Sequence, residues 1–281
     1  MRTGLVLEGG AMRGLYTAGV LDIFNENDII FDGVMGVSAG IIHAINYVSL
    51  QPGRSIRYTL KYRKNKRFMS VRSFLKTGSL VEKDFCYHLI PDELDPFDYE
   101  TYRNSKIDTY AVCSNVETGR AEYIKCTDLE KQMDIVRASA SMPFVSEIVN
   151  SQGMKLLDGG VCDSIPVRKM FDMGYDRIVV VLTKMRDYVA KPASPVLSKK
   201  MYHDYPKFVD SLITMHLQYM DCFKYVCRLE DNKEILVIRP SKFVDMTRTE
   251  KNLSRLWDIY DLGREDAKKK LDEVKLWLEK Q

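Results

Sequence analysis

The sequence predicts an α/β fold with three layers, in which a largely parallel central sheet is flanked by helices and extended by helical cap-like insertions. Two apolar runs, residues 5–7 and 33–37, are typical of buried strands, and each leads through a glycine turn into a helical pattern. A third run, residues 177–182, is typical of a buried parallel strand. Strands that alternate with helices form parallel sheets between helix layers. At 281 residues with 45% apolar residues, the chain can bury the core that such a fold needs.

The composition argues against several classes of function. The formal charge of +3, from 42 basic and 39 acidic residues, gives no general reason to expect a nucleic-acid partner. The six cysteines and four histidines show no metal-ligand spacing, so we expect reduced thiols, no metal site and no cofactor. No apolar run approaches the roughly 18 residues of a membrane span, and residues 4–7 are too few for a signal peptide. A cytoplasmic protein is therefore expected.

The first strand leads into a glycine-rich loop that precedes a helix, a layout that binds anions. The loop consists of Gly9, Gly10, Ala11, Met12, Arg13 and Gly14. A dinucleotide fingerprint would need a third glycine at Ala11 and an acidic residue about 20 positions later, after a second strand. The second strand ends instead at a serine. We therefore predict that the Gly10 and Ala11 N–H groups form an oxyanion hole, to which Arg13 adds positive charge.

The second strand ends in Gly36-Val37-Ser38-Ala39-Gly40, which has the pattern of a nucleophile elbow. Because Gly36 and Gly40 lack a Cβ, the chain can bend sharply at Ser38 and the next helix can pack close to the strand. The bend places the hydroxyl near a helix N-terminus, where free N–H groups favour an oxyanion. An ordinary glycine turn can have the same pattern, but its position after the first glycine loop favours a catalytic serine.

The third candidate motif follows a predicted hairpin around residues 151–153. Its return strand, residues 154–157, ends in Asp158-Gly159-Gly160, which places a carboxylate at a strand end before a flexible turn. Asp-Gly is also a common turn sequence, so this motif alone is a weak signal.

These three motifs, in this order, resemble those of the patatin-like phospholipase family. The resemblance also includes residues 113–119, 138–144 and 163–166. It implies a catalytic core over residues 1–183, with residues 54–106 as a cap-like insertion. Residues 184–281 would then add C-terminal helices and a last strand to the same domain.

The resemblance implies Ser38 as nucleophile and Asp158 as general base, with Gly159 and Gly160 forming the loop beside the acid. The implied activity is hydrolysis of phospholipid or lysophospholipid acyl esters without histidine or metal. One departure from the family pattern is visible, because Ala11 stands where the family has a third glycine. Ala11 can donate its N–H only if alanine can adopt the backbone conformation required there.

Catalysis by such a dyad has a physical requirement, because a free aspartate has a pKa near 3.9 and is a poor base. Partial desolvation of Asp158 would raise this pKa. A triad in the order serine, acid, histidine would need His203 or His216, and neither lies in a loop suited to that role. Two alternatives stay open: an acyltransferase that uses the same dyad, and a catalytically silent lipid-binding or regulatory module. The sequence indicates no oligomeric state.

Residues 54–76, from Arg54 to Lys76, carry nine basic residues and no acidic one. Such a stretch could contact an anionic lipid surface at the inner membrane face. The favoured alternative is a solvated helix face that is neutralised by the acidic residues between positions 82 and 100. Nucleic acid fits the stretch less well.

The C-terminal part is expected to add helices and one strand. A Met- and aromatic-rich helix around residues 208–223 packs the core or lines an acyl-chain pocket, and the core is favoured. Residues 234–239 form a last strand. Amphipathic helices between residues 253 and 278 cover the sheet.

Overall fold

The computed structural model describes residues 1–279, in which eight strands form one mixed sheet with helices on both faces. The strands are β1 (Thr3–Leu7), β2 (Gly33–Val37), β3 (Asp108–Asn115), β4 (Arg120–Lys125), β5 (Val149–Ser151), β6 (Met154–Asp158), β7 (Arg177–Val181) and β8 (Leu236–Ile238). The α-helices are α1 (Leu15–Glu26), α2 (Ala39–Val48), α3 (Arg54–Tyr62), α4 (Val71–Thr77), α5 (Tyr99–Asn104), α6 (Leu129–Ser139), α7 (Val167–Asp172), α8 (Pro195–Met201), α9 (Pro206–Asp231) and α10 (Leu253–Glu279). A π-helical segment spans Phe85–Leu94, and short 3-10 turns span Ala11–Gly14 and Gly159–Val161.

The predicted α/β class is confirmed by this sheet, whose order is β5-β6-β3-β2-β1-β7-β8 with β4 also paired to β3. The pairs β1–β2, β1–β7, β2–β3 and β7–β8 are parallel. The strands β4, β5 and β6 pair antiparallel, so the sheet is mixed. The parallel part matches the strands that alternate with helices along the sequence.

Both faces of the parallel part are buried, as its continuous apolar strands require. Leu5 and Leu7 belong to a hydrophobic cluster that includes residues of α1, α2, α6 and α10. Val6 belongs to a second cluster, which includes residues of α7 and α9. The sheet therefore lies between two helix layers.

The pairing of β2 and β6 with β3 determines how the ends of these two strands lie relative to each other. β4 pairs along one edge of β3, while β2 and β6 share the other edge. The last residue of β2, Val37, lies opposite Val112, and the last residue of β6, Asp158, lies opposite Cys113. β2 runs parallel to β3 and β6 runs antiparallel, so their carboxyl ends meet head to head. Ser38 and Asp158 are thereby brought together.

The basic stretch at residues 54–76 is only partly a solvated face. Arg54 is 3% exposed and forms an ion pair with Asp95, and Arg63 is 1% exposed. The exposed Arg67 pairs with Glu82, as expected for neutralisation by the acidic residues that follow. The expectation of a wholly solvated face is therefore wrong for two of the nine basic residues, because the fold uses them as internal hydrogen-bond donors.

The C-terminal residues form one long helix, α10, so the expectation of several tail helices is wrong. This helix packs closely on α1: a Cβ at Gly263 would lie 2.1 Å from the carbonyl oxygen of Tyr16, and one at Gly19 equally close to that of Tyr260. Within residues 1–279, no helix is long and apolar enough to cross a membrane.

Candidate functional site

Ser38 occupies the bend between β2 and α2, in a backbone conformation of φ +55° and ψ −122°. This conformation is strained for a non-glycine residue, as is usual at a nucleophile elbow. The flanking glycines allow close approach: a Cβ at Gly36 would lie 2.5 Å from the Cα of Ile41, and one at Gly40 would lie 2.4 Å from the carbonyl oxygen of Leu7. The elbow therefore depends on both glycines.

The Ser38 hydroxyl donates a 2.6 Å hydrogen bond to Oδ2 of Asp158. Both residues are buried, with 8% and 7% of their surfaces exposed. The other carboxylate oxygen of Asp158 accepts a 2.8 Å hydrogen bond from the N–H of Gly160. The backbone carbonyl of Asp158 accepts a hydrogen bond from the Ser114 hydroxyl. A Cβ at Gly159 would lie 2.2 Å from the carbonyl oxygen of Val112, so this turn also packs tightly against β3.

Burial raises the pKa of Asp158 from its ordinary 3.8 to about 6. The hydrogen bonds from Ser38 and Gly160 oppose this rise, as does the positive charge of Arg248. The carboxylate is thus mostly ionised at neutral pH, yet it is a stronger proton acceptor than a free aspartate. Both properties suit a general base.

Ser139 connects the elbow to β3 through a contact that no sequence motif indicates. The N–H of Ser38 donates to the Ser139 hydroxyl oxygen at 3.0 Å, and that hydroxyl donates to the carbonyl of Val112 at 2.7 Å. Because the Ser38 N–H is already bonded, it is not a free donor for an oxyanion. The N–H donors of an oxyanion hole must therefore come from residues other than Ser38.

The glycine-rich loop lies directly beside Ser38. A Cβ at Gly9 would lie 2.9 Å from the Cβ of Ser38, and one at Gly14 would lie 2.6 Å from that of Ala39. Among the hydrogen bonds of residues 1–279, none uses the N–H of Gly10 or of Ala11 as donor. These two groups are therefore available to a ligand.

The remaining loop positions have other contacts. Ala11 has φ +49°, a left-handed conformation that glycine adopts most readily, but alanine also tolerates at modest cost. The N–H of Met12 donates to the carbonyl of Arg248 at 3.4 Å. The Arg13 guanidinium, expected to add positive charge, donates to the carbonyl of Met246 at 3.1 Å. Because alanine tolerates the left-handed conformation at position 11, the loop keeps its course with Ala11 in place of a third glycine.

Glu8, the residue before the loop, is 1% exposed and was not predicted as a site residue. Its carboxylate accepts hydrogen bonds from Lys184, Tyr219 and both the N–H and the hydroxyl of Thr183. The Thr183 hydroxyl also lies 2.8 Å from the carbonyl oxygen of Gly9. A buried charge is tolerated only when it is paired in this way. The cluster fixes the start of the glycine loop to the end of β7.

Two cavities meet at Ser38. The first has a volume of about 130 Å³, lies beneath α3 and the π-helical segment, and has a mainly apolar lining. Residues with side chains at its wall include Met12, Leu15, Ile42, Tyr58, Phe68 and Met133. The second is an open cleft that also borders Ser38, and it adds Asp158, Lys191 and Arg248 to a largely apolar lining. An apolar cavity next to a cleft that carries charged groups fits an amphipathic ligand.

Within residues 1–279, no histidine side chain is hydrogen-bonded to Ser38. His43 is buried and lies 3.0 Å from the hydroxyl oxygen of Ser55, and burial lowers its pKa to about 4. His203 is exposed beside Asp204. His216 borders the open cleft, but its ring contacts the carbonyl of its own helix at Ile213. Across residues 1–279, no cluster of histidine, cysteine or acidic side chains is arranged to hold a metal ion.

A comparison with known families gives a match over the residues that form this site. The sequence model described as patatin-like phospholipase matches residues 5–171, more than half of the chain. The chain belongs to the patatin-like phospholipase family. The glycine loop, the elbow and Asp158 of this patatin-like protein all lie within the matched range. A second model, for a domain of unknown function named DUF6363, matches residues 205–279.

Curated relatives of this patatin-like protein are similar over part of their length. The uncharacterized protein YjjU of Escherichia coli is 29% identical over 188 residues, which are 65% of this chain and 52% of YjjU. Lysophospholipase nte1 of Aspergillus niger is 28% identical over 189 residues, 63% of this chain and 12% of that protein. The chain thus spans about half of one relative and about an eighth of the other. Among solved structures, VipD from Legionella pneumophila has a TM-score of 0.48 and 14% identity, covering 97% of this chain and 67% of that one.

Proposed function

We propose that this chain is a serine acyl hydrolase of the phospholipase A or lysophospholipase type. The proposal is carried by the hydrogen bond from Ser38 to Asp158 at the junction of an apolar cavity and an open cleft. Membership of the patatin-like phospholipase family supports a lipid ester as substrate. A relative that is named a lysophospholipase supports the same class.

In the proposed mechanism, the Ser38 hydroxyl oxygen attacks the ester carbonyl carbon while its proton passes to Asp158. The carbonyl oxygen becomes an oxyanion, and the free N–H groups of Gly10 and Ala11 are the donors that would stabilise it. Asp158 then gives the proton to the departing alcohol, which leaves an acyl-enzyme. Water, deprotonated by Asp158, then attacks the acyl carbon, the bond from that carbon to the Ser38 oxygen breaks, and Ser38 takes the proton back from Asp158 as the fatty acid leaves.

The apolar cavity is the proposed site of the acyl chain. Its volume of about 130 Å³ is close to the roughly 150 Å³ of an engineered apolar cavity that binds benzene. By that comparison it holds about six carbons without movement of its walls. Each further methylene that stays outside forgoes about 0.8 kcal/mol of burial.

Peripheral membrane contact is proposed through α4, within the basic stretch. Val71 and Leu75 are 66% and 80% exposed, and the neighbouring Arg72 and Lys76 are exposed as well. Apolar side chains flanked by cations suit an anionic lipid surface. Leu75→Ser should therefore weaken sedimentation with phosphatidylserine vesicles, whereas Leu276→Ser, a matched change on α10, should not. Equal binding by the two variants would exclude this surface.

The central experiment is covalent labelling of the purified protein by a fluorophosphonate. We expect one label per chain on the wild type and none on Ser38→Ala. Product analysis with a defined phospholipid and lysophospholipid panel then gives the substrate, and Asp158→Asn should fold but lose nearly all cleavage. Full activity of Asp158→Asn would reject the dyad.

The same experiments separate the alternatives. A silent lipid-binding module would bind lipid without fluorophosphonate labelling at Ser38. An acyltransferase would label but would deliver the acyl group to an added alcohol or thiol in preference to water. Transfer that exceeds hydrolysis at saturating acceptor would replace the hydrolase proposal.

A further inference from the structure

A strap, residues 239–252, links β8 to α10 and crosses the glycine-rich loop. It is tied to that loop by two contacts from Met12 and Arg13 to the carbonyls of Arg248 and Met246. The family model that matches the catalytic motifs ends at residue 171, so the strap lies outside it. The C-terminal part of the chain therefore contributes directly to the surroundings of Ser38.

A buried arginine fixes the strap from the other side. Arg63 is 1% exposed, and its guanidinium donates to the carbonyls of Glu250 and Thr249 at 2.5 and 2.7 Å. It also donates to the carbonyl of Met69 at 3.2 Å. Burying a guanidinium is costly unless its donors are satisfied, and here it holds two successive strap carbonyls. The backbone at Arg248 is thereby fixed by Arg63 on its C-terminal side and by Met12 and Arg13 of the glycine-rich loop.

The Arg248 side chain points its charge into the open cleft. It is exposed and borders the cleft together with Ser38 and Asp158, and its charge acts on the Asp158 carboxylate. Within residues 1–279 its guanidinium has no hydrogen bond and no ion pair. Lys191 borders the same cleft and is equally unpaired in the described chain.

The other charges of the cleft are already satisfied. Lys184 is paired with Glu8, and Arg13 donates to a strap carbonyl. Asp158 is bonded to Ser38. Arg248 and Lys191 are thus the two cations of the cleft that have neither a hydrogen bond nor an ion pair among residues 1–279, and Ser38 borders the same cleft. A charged group of an ester bound at Ser38 would meet them in this cleft.

We propose that Arg248 and Lys191 form a binding subsite for a phosphate group of the lipid substrate. A guanidinium and an ammonium are the side chains best suited to phosphate oxygens, and the guanidinium can bind two of them at once. The proposal rests on the proposed function and narrows it: the substrate carries a phosphate ester on its glycerol, and neutral glycerides are the poorer class.

The test compares lipids that share one acyl chain: lysophosphatidic acid, lysophosphatidylcholine and monoacylglycerol. The readout is the ratio of kcat/KM for each phosphate lipid to that for monoacylglycerol, at about pH 8, where Asp158 is ionised with or without Arg248. Arg248→Gln should lower both ratios about tenfold or more, mainly through KM, and Lys191→Gln should lower them less. Lys242→Gln, which removes an exposed strap cation outside the cleft, should leave them unchanged.

Unchanged ratios in Arg248→Gln would overturn the subsite, whether activity falls on all three lipids or on none. A loss confined to lysophosphatidic acid would restrict the subsite to phosphate monoesters. Failure of wild type to cleave any of the lipids would count against the proposed function instead. Binding to Ser38→Ala by calorimetry then decides the subsite: it should bind lysophosphatidic acid at least about tenfold more tightly than monoacylglycerol, and adding Arg248→Gln should abolish that preference. Equal affinities would reject it.

Discussion

Replacing Asp158 by asparagine should stabilise the fold at neutral pH while it removes ester cleavage. The wild-type carboxylate is buried, and burial raises its pKa from 3.8 to about 6. At pH 7 the folded protein therefore holds an ionised group in an environment that prefers the neutral form. Asparagine keeps a similar shape and removes that charge.

The sign and size of the effect follow from linkage. Between pH 4 and 6 the folded state binds more protons than the unfolded state, so the free energy of unfolding falls as pH rises. Below about pH 4 both states are protonated and the cost disappears. The difference between 3.8 and about 6, at about 1.4 kcal/mol for each pKa unit, gives a cost of at most about 3 kcal/mol above pH 6.

The assay is urea unfolding of wild type and Asp158→Asn at a series of pH values from about 4 to 8. The stability advantage of the variant should be small at pH 4 and should grow to at most about 3 kcal/mol at pH 7. Asp128→Asn provides a control of opposite sign. The hydrogen bond from Lys131 lowers the pKa of Asp128, so the wild-type advantage over that variant should shrink as pH falls.

Two results would refute the reasoning. If Asp158→Asn were less stable than wild type at pH 7, the carboxylate would be a net stabilising group and not a desolvated base. If the difference between the two proteins did not change between pH 4 and 7, the pKa of Asp158 would be the same in the folded and unfolded states.

Three further predictions concern catalysis and packing. For a neutral ester, kcat/KM should fall about tenfold from pH 7 to pH 5 as Asp158 is protonated. Arg248→Gln should move the midpoint of this pH profile to higher pH, because it removes a positive charge that favours the carboxylate. A pH-rate profile that lacks this fall would contradict the role of Asp158 as base. Val136→Phe, which fills the apolar cavity, should shift the preferred ester to shorter chains, with about a fourfold loss in kcat/KM for each methylene displaced, measured with a p-nitrophenyl ester series. Ser139→Ala leaves the Ser38 N–H without its partner and should lower the free energy of unfolding in urea by about 1–3 kcal/mol. It should also lower kcat, with a smaller effect on KM. An unchanged kcat would show that the elbow does not need this contact.

The elements that could be predicted from the sequence are those set by local pattern. The strand, turn and helix around Ser38 follow from an apolar run, two glycines and a helical repeat, all within a short window. The burial of Arg63 could not be foreseen, because two of its three carbonyl partners, Thr249 and Glu250, lie almost 190 positions away in the strap. The sequence pattern of residues 253–278 predicts several helices because charged positions interrupt its apolar repeat, whereas packing against α1 keeps α10 continuous.

Within the site, the same distinction applies. Asp158 could be proposed because a strand end before two glycines is a visible motif, although its catalytic role stays a prediction. Glu8 carries the same signal, an acid at the end of a buried strand, and that signal could have found it. Arg248 lies in a segment without periodicity, so only the fold shows that it faces the cleft.

The shared edge of β3 has a consequence for how this protein tolerates insertions. Because β3 aligns Asp158, and the hairpin tip at residues 151–153 does not, lengthening that tip would leave the acid opposite Cys113. One residue added between Leu156 and Asp158 would instead turn the carboxylate to the opposite side of the strand. Insertions should therefore be tolerated at the hairpin end of β6, whereas at its carboxyl end one inserted residue would separate the Asp158 carboxylate from the Ser38 hydroxyl.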